Sequence, residues 1–485
     1  MVNEIGFNNK KFSLVVDKLI KLLGKEKVLS EKRDLMVYGY DSTPFKGKPM
    51  VVVLPEKTEE VQGIIKTAAE FGLPVVPRGA GTSLSGGPIA SMGGIVVSLT
   101  PMDKILSIDL DNNRATIQPG VTNQRLQKEL EVFGYWFPPD PASLSVATIG
   151  GNVAENAGGP HCLKYGVTSN HVVDLRIVKA NGEVINTGTY LETGVGYDLT
   201  GILVGSEGTL GIVTEITVRI SKKPEATSTI LALFESSWDA ASSVSEIIRN
   251  GLNPSVLEMI EERMLTEVNT VFNLGYPETI KSLLIIEVDG KREGLPFELE
   301  KIEAICRNNN VKVLESAQTE DERERLWLAR RGGTSALGRL KPDSAENDIV
   351  VPRSKLPHMV EKIKEISKRN EVIMGAVIHA GDGNCHPQVP FDASLHNEAE
   401  AAEQALWEVF EAAVQLGGTI SGEHGVGLEK IRGMGLVFTQ DEMLLMRRFK
   451  LLMDPQEILN PDKIFPPHII SLAKEGGSDD SGATR

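Results

Sequence analysis

The first part of the chain alternates apolar segments of helical and strand periodicity. A strand at 50–54, a helical pattern at 61–68 and a second strand at 73–76 predict a βαβ-like unit that leads into a glycine loop. Ahead of this unit, apolar residues at the spacing i, i+3, i+4 and i+7 predict an amphipathic packing helix: Phe12, Val15, Val16, Leu19, Ile20 and Leu23.

The pattern then changes twice, which predicts an α+β domain followed by an α/β domain. From 94 to 220, glycine turns separate short β-rich runs at 95–99, 114–118, 172–179 and 211–220. After 224, strands and helices alternate at 228–234, 238–249, 283–288 and 296–308. The predicted domains are 1–223 and 224–421, with a C-terminal segment at 422–470 and a polar, disordered tail at 471–485.

Composition narrows the class of protein. The 485 residues carry a net charge of −15, and no basic run with interleaved aromatic residues argues for nucleic-acid binding. The N-terminus lacks the features of a secretory signal, and no stretch reaches the roughly 18 apolar residues of a membrane span, so a cytoplasmic location is expected. The odd number of cysteines, three, predicts reduced thiols rather than a disulfide framework.

Three loops rich in glycine and hydroxyl residues lie in the first domain. The segment 77–87, which begins Pro77-Arg78-Gly79, can direct several backbone N–H groups at one anion, as a pyrophosphate requires. It is not a Rossmann fingerprint, because Leu84 occupies the final glycine position, and no Walker A lysine follows. Alone it could be an ordinary turn, but with 138–159 and 204–212 it predicts a dinucleotide site.

Two further motifs, 379–386 and 421–425, carry titratable side chains in glycine-rich turns. His379, His386 and Glu423 form a two-histidine, one-carboxylate set suited to a divalent metal with open positions. The alternative is that these histidines are structural. Four titratable residues in two turns favour the functional interpretation.

These motifs, in this order, resemble the FAD-binding fold of the vanillyl-alcohol oxidase and p-cresol methylhydroxylase superfamily. Within it they are most similar to the branch of glycolate oxidase catalytic flavoproteins, FAD-linked D-lactate dehydrogenases and D-2-hydroxyglutarate dehydrogenases. The resemblance spans about Val51 to Phe465. It implies a two-subdomain FAD-binding domain of the PCMH type, an α/β cap domain over the substrate, and a C-terminal segment that returns to the FAD domain.

The resemblance also implies which residues contact FAD. Some relatives attach flavin covalently through a histidine in the first loop, where this chain has Thr82, so FAD is expected to bind without a covalent bond. The family's Asn-Pro-Gly-Lys pattern is here Asn460-Pro461-Asp462-Lys463, and the contact from Asn460 is expected to persist. The implied cofactor-binding residues are Arg78, Gly79, Ala80, Gly81, Thr82, Ser83, Gly86, Pro139, Asp140, Ser143, Thr148, Gly150, Asn152, Gly158, Glu207, Gly208, Gly211, Ile212 and Asn460.

The resemblance implies oxidation of a D-2-hydroxy acid, with hydride transfer to flavin N5. A zinc, iron or manganese ion at the two histidines and Glu423 would lower the pKa of the substrate hydroxyl, and His424 is the expected base. Arg330, Arg331 and Thr334 resemble the family's substrate-carboxylate site. Glu346 stands where the hydroxyglutarate branch has a lysine, which favours glycolate or D-lactate over a dicarboxylate.

Two other functions are alternatives to this one. A non-redox FAD transferase of the alkyl-dihydroxyacetone-phosphate synthase type carries a run of consecutive histidines and a peroxisomal address, which this sequence lacks. An electron-transfer flavin subunit has no need of a base beside a metal. As electron acceptor, an iron-sulfur subunit, an electron-transfer flavoprotein and a quinone remain alternatives, and a homodimer is possible.

Overall fold

The computed structural model describes residues 9–188, 196–317 and 319–475. Its chain folds into two compact units. The first unit comprises residues up to Gly158, Val167–Lys222 and the chain from Glu423 onward. The second comprises Gly159–Gly166 and Lys223–Gly422. Residues 159–166, which the sequence analysis assigned to the first domain, therefore group with the second unit.

Nineteen strands are present in the described chain, and each run predicted as a strand overlaps one of them. In chain order they are β1 (Val28–Leu29), β2 (Val51–Val53), β3 (Val75–Arg78), β4 (Ile95–Ser98), β5 (Ile105–Asp109), β6 (Arg114–Ile117), β7 (Tyr135–Trp136), β8 (Val172–Val178), β9 (Val184–Asn186), β10 (Ile212–Arg219), β11 (Ser221–Lys222), β12 (Ala226–Phe234), β13 (Val256–Ile260), β14 (Ser282–Gly290), β15 (Val313–Ser316), β16 (Asp343–Glu346), β17 (Ile349–Val350), β18 (Gly375–His379) and β19 (Asn384–Phe391).

None of the described helices is both long and apolar enough to cross a lipid bilayer. They are α1 (Asn9–Leu23), α2 (Lys32–Val37), α3 (Thr58–Phe71), α4 (Asn123–Glu131), α5 (Ile149–Glu155), α6 (Cys162–Tyr165), α7 (Leu199–Leu203), α8 (Ser237–Arg249), α9 (Glu262–Phe272), α10 (Leu295–Asn308), α11 (Glu320–Gly338), α12 (Leu356–Arg369), α13 (His396–Gln415), α14 (Met434–Val437), α15 (Gln440–Met453) and α16 (Pro467–Glu475).

The C-terminal helix α16 corrects part of the predicted disordered tail. Residues 471–475 are helical, whereas 476–485 lie outside the described residues. The helix is ordered because its apolar side packs against a cluster that contains Met434, Met443 and Phe465, with Ile469 fully buried in it. Composition alone missed this packing.

The first unit contains a four-stranded sheet, a five-stranded sheet and a two-stranded pair. The four-stranded sheet has the order β1-β2-β4-β3, and both β2 and β3 run parallel to β4. Parallel strands need a crossover connection, which α3 supplies between β2 and β3. The predicted βαβ-like unit is confirmed. The five-stranded sheet, β5-β6-β10-β8-β9, is antiparallel throughout.

Helices α1 and α3 bury the apolar stripes that the sequence predicts. Val15 and Leu19 of α1 and Ile64 and Ile65 of α3 belong to one buried cluster with the strands of the four-stranded sheet. Helix α3 ends at Gly72, whose φ of 65° allows the left-handed C-cap. The chain then enters β3, which leads directly into the first glycine loop.

The second unit is built on an eight-stranded sheet in which all strand pairs are antiparallel. Its order is β15-β12-β14-β13-β18-β19-β16, with β17 also paired to β19. The alternation of helices and strands in the sequence is confirmed, but the sheet is of the α+β kind because no parallel pair occurs among its described strands. The three cysteines are buried and free of disulfides, as predicted.

One face of this sheet carries charged residues among its apolar neighbours. Directly opposed residues of antiparallel strands share a face, which places Glu287, Glu258, His379 and Asn384 on one side of the sheet. The carboxylate of Glu287 accepts hydrogen bonds from Thr229, from Arg323 at 2.7 and 3.0 Å, and from Trp327 Nε1 at 2.8 Å. This buried charge is therefore fully hydrogen-bonded, which limits the cost of its burial.

Glu287 should make stability depend on pH. Burial raises the pKa of Glu287, but the hydrogen bonds and charge of Arg323 outweigh burial, and the folded pKa lies below the ordinary value of 4.5. The ionised carboxylate therefore contributes stability that is complete above about pH 4.5 and is lost as the pH falls below it. We expect the free energy of unfolding, measured in urea by tryptophan fluorescence at about pH 6 and about pH 3.5, to fall less between these values in Glu287→Gln than in the native chain. Equal pH dependence in the two proteins would contradict this role.

Candidate active site

The first unit contains a cavity of about 340 Å³ beside the carboxyl end of strand β3. Strand β3 ends at Arg78, and the first glycine loop follows it along the cavity wall. Residues from all three predicted loops meet here. The predicted cofactor-binding residues that line the cavity are Arg78, Gly79, Ala80, Gly81, Thr82, Ser83, Ser143, Thr148, Gly150, Asn152, Glu207 and Gly208.

The remaining predicted cofactor residues do not line this cavity. Ile212 is a buried core residue at the start of β10, and the carbonyl oxygen of Pro139 accepts a hydrogen bond from Asn123 Nδ2 at 2.8 Å. These contacts give both residues a structural role. The other residues of this group are Gly86, Asp140, Gly158, Gly211 and Asn460.

Close approach of two chain segments requires glycine at position 79. A Cβ atom there would lie 2.3 Å from the Oγ1 of Thr148, which is too near for any side chain. The same Oγ1 accepts a hydrogen bond from Gly151 N and so caps α5. The first two glycine loops are therefore in direct contact, and both contribute to the cavity wall.

Two buried donors at this cavity have no hydrogen-bond partner among the residues that the structure describes. They are Nη1 of Arg78, whose side chain is stacked against the ring of Tyr38, and Nδ2 of Asn152. An unmatched buried donor costs free energy, and the oxygens of a phosphate or a flavin would accept from it. The residues present therefore fit an anionic, oxygen-rich cofactor such as FAD.

Asn460 fastens the C-terminal segment to two of the loops. Its Nδ2 donates to the carbonyl oxygens of Gly87, at 3.0 Å, and Glu207, at 2.7 Å. The NH2 group of the Asn460 amide therefore donates its hydrogen bonds within the protein. Its buried Oδ1 has no hydrogen-bond partner in the described part of the chain and is the atom left for a further contact.

Glu423 and His424 also line the cavity of the first unit. Their side chains are 13% and 12% exposed, and His424 Nε2 lies 4.0 Å from Glu423 Oε1. The structure therefore places the predicted base on the wall of the cavity that the predicted cofactor-binding residues line. His379 and His386 belong to the second unit. The predicted metal set thus draws on both units and stays a prediction.

In the second unit, Glu258 joins two of the predicted site residues. Its Oε1 lies 2.6 Å from His379 Nδ1, and its Oε2 accepts a hydrogen bond from Arg330 Nε. Burial raises the pKa of Glu258, but the charge of Arg330 and the hydrogen-bonded contact with His379 outweigh burial and bring the pKa down to about 2. Glu258 is therefore ionised at neutral pH and holds both partners.

The two histidines of the fourth motif lie close together. The rings of His379 and His386 are nearly perpendicular, with centroids 5.2 Å apart, and one nitrogen of each lies within 4.8 Å of the other. Asp348 offers a carboxylate oxygen within 4.8 Å of a nitrogen of His386 and accepts hydrogen bonds from Ser421 Oγ and Gly422 N. A carboxylate on Nδ1, as Glu258 provides for His379, is the usual support of a histidine that binds a metal through Nε2.

The two arginines of α11 differ in their surroundings. The Arg330 side chain is 14% exposed and reaches Glu258, whereas that of Arg331 is 59% exposed and pairs with Glu324 on the helix surface. Thr334 is exposed as well. The buried polar face therefore favours Arg330, and not Arg331, as a substrate-binding residue.

Sequence reasoning missed two carboxylates. Glu258 interrupts the apolar strand β13, in which each of the five residues is buried, and a charge inside such a strand is a usable signal for a site. Glu155 lies within the second glycine motif and lines the cavity of the first unit. Nothing in its glycine- and asparagine-rich surroundings distinguishes this carboxylate in the sequence.

Comparisons with known proteins agree with this geometry. Residues 49–188 match the model of an FAD binding domain, and 223–464 match FAD linked oxidases, C-terminal domain. The chain is 43% identical to the glycolate oxidase subunit GlcD of Bacillus subtilis, over 93% of this chain and 96% of that protein. It is 32% identical to D-lactate dehydrogenase of Anaerostipes hadrus, over 89% of this chain and 91% of that protein. The crystal structure of p-cresol methylhydroxylase, 18% identical, has the same fold, with a TM-score of 0.79 over 94% of this chain and 97% of that one.

Proposed function

The chain belongs to the FAD linked oxidases and is an FAD-linked oxidoreductase of the GlcD and D-lactate dehydrogenase type, and from this premise we propose that it oxidises a small D-2-hydroxy acid, such as glycolate or D-lactate, to the 2-oxo acid. The observation that carries the proposal is the cavity of the first unit, whose wall combines the glycine loops with His424. A site that only stored a nucleotide would not need a titratable base on that wall.

We propose that FAD binds in this cavity without a covalent bond, because position 82 is a threonine. When bound, FAD supplies the redox chemistry by accepting the hydride from C2 of the substrate. The glycine loops hold the cofactor, and Arg78 and Asn152 present buried donors to its oxygens. His424 takes the proton of the 2-hydroxyl group, and imidazole is the side chain that most often serves as a general base.

Arg330 is the proposed partner of the substrate carboxylate. Glu258 accepts a hydrogen bond from Nε of the guanidinium, and among the described residues no hydrogen bond involves Nη1 or Nη2. The Nη edge of an arginine matches the two oxygens of a carboxylate. Glu258 thus holds the arginine in place and leaves its Nη edge for the substrate carboxylate.

We further propose a divalent ion, zinc, iron or manganese, held by His379, His386 and Glu423. The support is the hydrogen bond between Glu258 and His379 Nδ1 and the short separation of the two histidines. The ion would stabilise the alkoxide form of the substrate hydroxyl and so assist its deprotonation by His424.

The proposed preference for a monocarboxylate rests on Glu346. This residue lies directly opposite Gln388 in the pairing of β16 and β19, on the same sheet face as His386. A carboxylate there would repel a second carboxylate of the substrate. For the electrons, we propose a protein acceptor, since the Bacillus subtilis relative is named a subunit. A cytoplasmic location and a homodimer are further proposals.

The substrate can be identified by flavin reduction. We expect glycolate or D-lactate to bleach the flavin absorbance of the purified protein under anaerobic conditions, whereas L-lactate and D-2-hydroxyglutarate react far more slowly. The absorbance near the flavin maximum is followed after mixing with each acid. Bleaching by none of the four acids would contradict the proposed reaction.

The two arginines provide a matched test of carboxylate binding. Arg330→Lys keeps a positive charge beside Glu258 but loses the planar Nη edge, so we expect KM to rise by roughly 10-fold or more, in line with about 1.5 to 3 kcal/mol for a charge-assisted contact. Arg331→Lys should leave KM unchanged, because that side chain is exposed. Equal KM values for the two variants would remove Arg330 from the site.

The metal and the base can be separated by two variants. His386→Ala should lose both the ion and turnover while keeping FAD, because the cavity that holds FAD belongs to the other unit. His424→Ala should keep FAD and the ion but reduce flavin roughly 10²- to 10⁴-fold more slowly, as expected for a missing general base. Metal analysis is combined with stopped-flow flavin reduction. A fully active, metal-free native protein would exclude the ion, and a native rate in His424→Ala would exclude the base.

A further inference from the structure

The carboxylate of Glu207 is bound to the backbone of a neighbouring turn. Its Oε1 accepts a hydrogen bond from Val426 N, and its Oε2 accepts one from Gly427 N, each at 2.7 Å. The residue is 4% exposed. Both oxygens are therefore occupied inside the protein, although the sequence analysis assigned Glu207 to cofactor binding.

The backbone of Glu207 is held as firmly as its side chain. Its N–H donates to Ala154 O at 2.9 Å, and its carbonyl oxygen accepts from Asn460 Nδ2 at 2.7 Å. Its φ of 53° lies in the left-handed region, which is uncommon for a residue other than glycine. Such a conformation persists when surrounding contacts determine it, and here several contacts do so.

The turn that Glu207 holds carries His424. A Cβ atom at Gly427 would lie 2.1 Å from the carbonyl oxygen of Ser85, and Leu428 N donates to the same oxygen at 2.8 Å. The first glycine loop and Glu207 therefore fix the residues that follow His424. His424 itself is only two residues from Val426 and lines the same cavity as Glu207.

We propose that Glu207 is a positioning residue: it places His424 against the cofactor cavity by holding the backbone N–H groups of Val426 and Gly427. The inference rests on the proposed role of His424 as the base. Proton transfer depends on the position of the base, and a displacement of about 1 Å can cost roughly 10²-fold in rate. Glu207 acts through the turn and not by contact with the substrate.

The direct variant is Glu207→Gln, with Asp174→Asn as its matched control. The glutamine keeps the side-chain length but replaces one acceptor oxygen with an NH2 group, so one backbone N–H loses its partner. Asp174 Oδ1 likewise accepts from two successive backbone N–H groups, those of Thr187 and Gly188, at 3.1 and 2.7 Å. None of these three residues lines the cavity.

The measurement is stopped-flow flavin reduction by the acid that reduces the native protein, over a range of acid concentrations. For Glu207→Gln we expect a full complement of FAD, normal reduction by dithionite, an unchanged half-saturation concentration and a limiting rate roughly 10- to 100-fold lower. Asp174→Asn should retain the native rate. A native limiting rate in Glu207→Gln would overturn the proposal.

A double-mutant cycle separates positioning from general weakening of the fold. If Glu207 acts through His424, adding Glu207→Gln to His424→Ala should cause no further loss of rate, because the base it positions is already absent. Losses that multiply would overturn the proposal. A native rate in His424→Ala would instead overturn the proposed base, so the two failures are distinguishable.

Glu207→Asp covers the case in which the glutamine variant loses FAD. Aspartate keeps the charge and both acceptor oxygens on a side chain one methylene shorter, so it should restore part of the limiting rate. Rates are compared per bound flavin. An aspartate variant no faster than the glutamine variant, or no faster than His424→Ala if the glutamine protein cannot be purified, would contradict the proposed role.

Discussion

The first unit depends on backbone hydrogen bonds between chain segments that are far apart in sequence. Gly205 N donates to Val153 O at 2.8 Å, and Leu428 N donates to Ser85 O at 2.8 Å. Such hydrogen bonds require two backbones to come closer together than side chains between them would allow. This requirement explains why glycines occur in each of these segments. The cavity is the space that these segments enclose, so the residues that maintain the contacts also define the site. Glu207 and Asn460 extend the same principle with side chains that bind backbone groups.

The second unit meets a different constraint, the cost of burying charge. Glu258 and Glu287 lie on one face of the sheet, and each is paired with an arginine of helix α11. Arg323 and Arg330 are seven residues apart, about two helical turns, so both face the sheet. Removing one member of such a pair would leave a buried, unmatched charge, which is strongly destabilising. Arg330 is therefore held in one orientation, which is what a carboxylate-binding residue requires.

Local patterns predicted most of the fold. Helices α1 and α3, the βαβ-like unit and the β-rich middle of the first unit follow from apolar periodicity and glycine positions. Helix α16 and the antiparallel order of the large sheet were not predicted, because both depend on packing between distant segments. The glycine loops were found from the sequence, and twelve of the predicted cofactor-binding residues line the cavity. Glu258 was missed because its partners, Arg330 and His379, are 72 and 121 residues away.

Residue type also proved a poor guide to what each polar atom does. Glu207 and Asn460 stand in motifs that resemble cofactor-binding sequences, yet both use most of their hydrogen-bonding capacity on the protein. Arg78 and Asn152, in the same motifs, keep buried donors that no described residue accepts from. Because an unmatched buried polar atom costs stability, the fully bonded carboxylate of Glu207 indicates a group that builds the cavity, whereas Arg78, Asn152 and the Oδ1 of Asn460 indicate atoms available to a ligand. The hydrogen bonds that these buried polar atoms already make thus divide one set of motif residues into scaffold and binding surface.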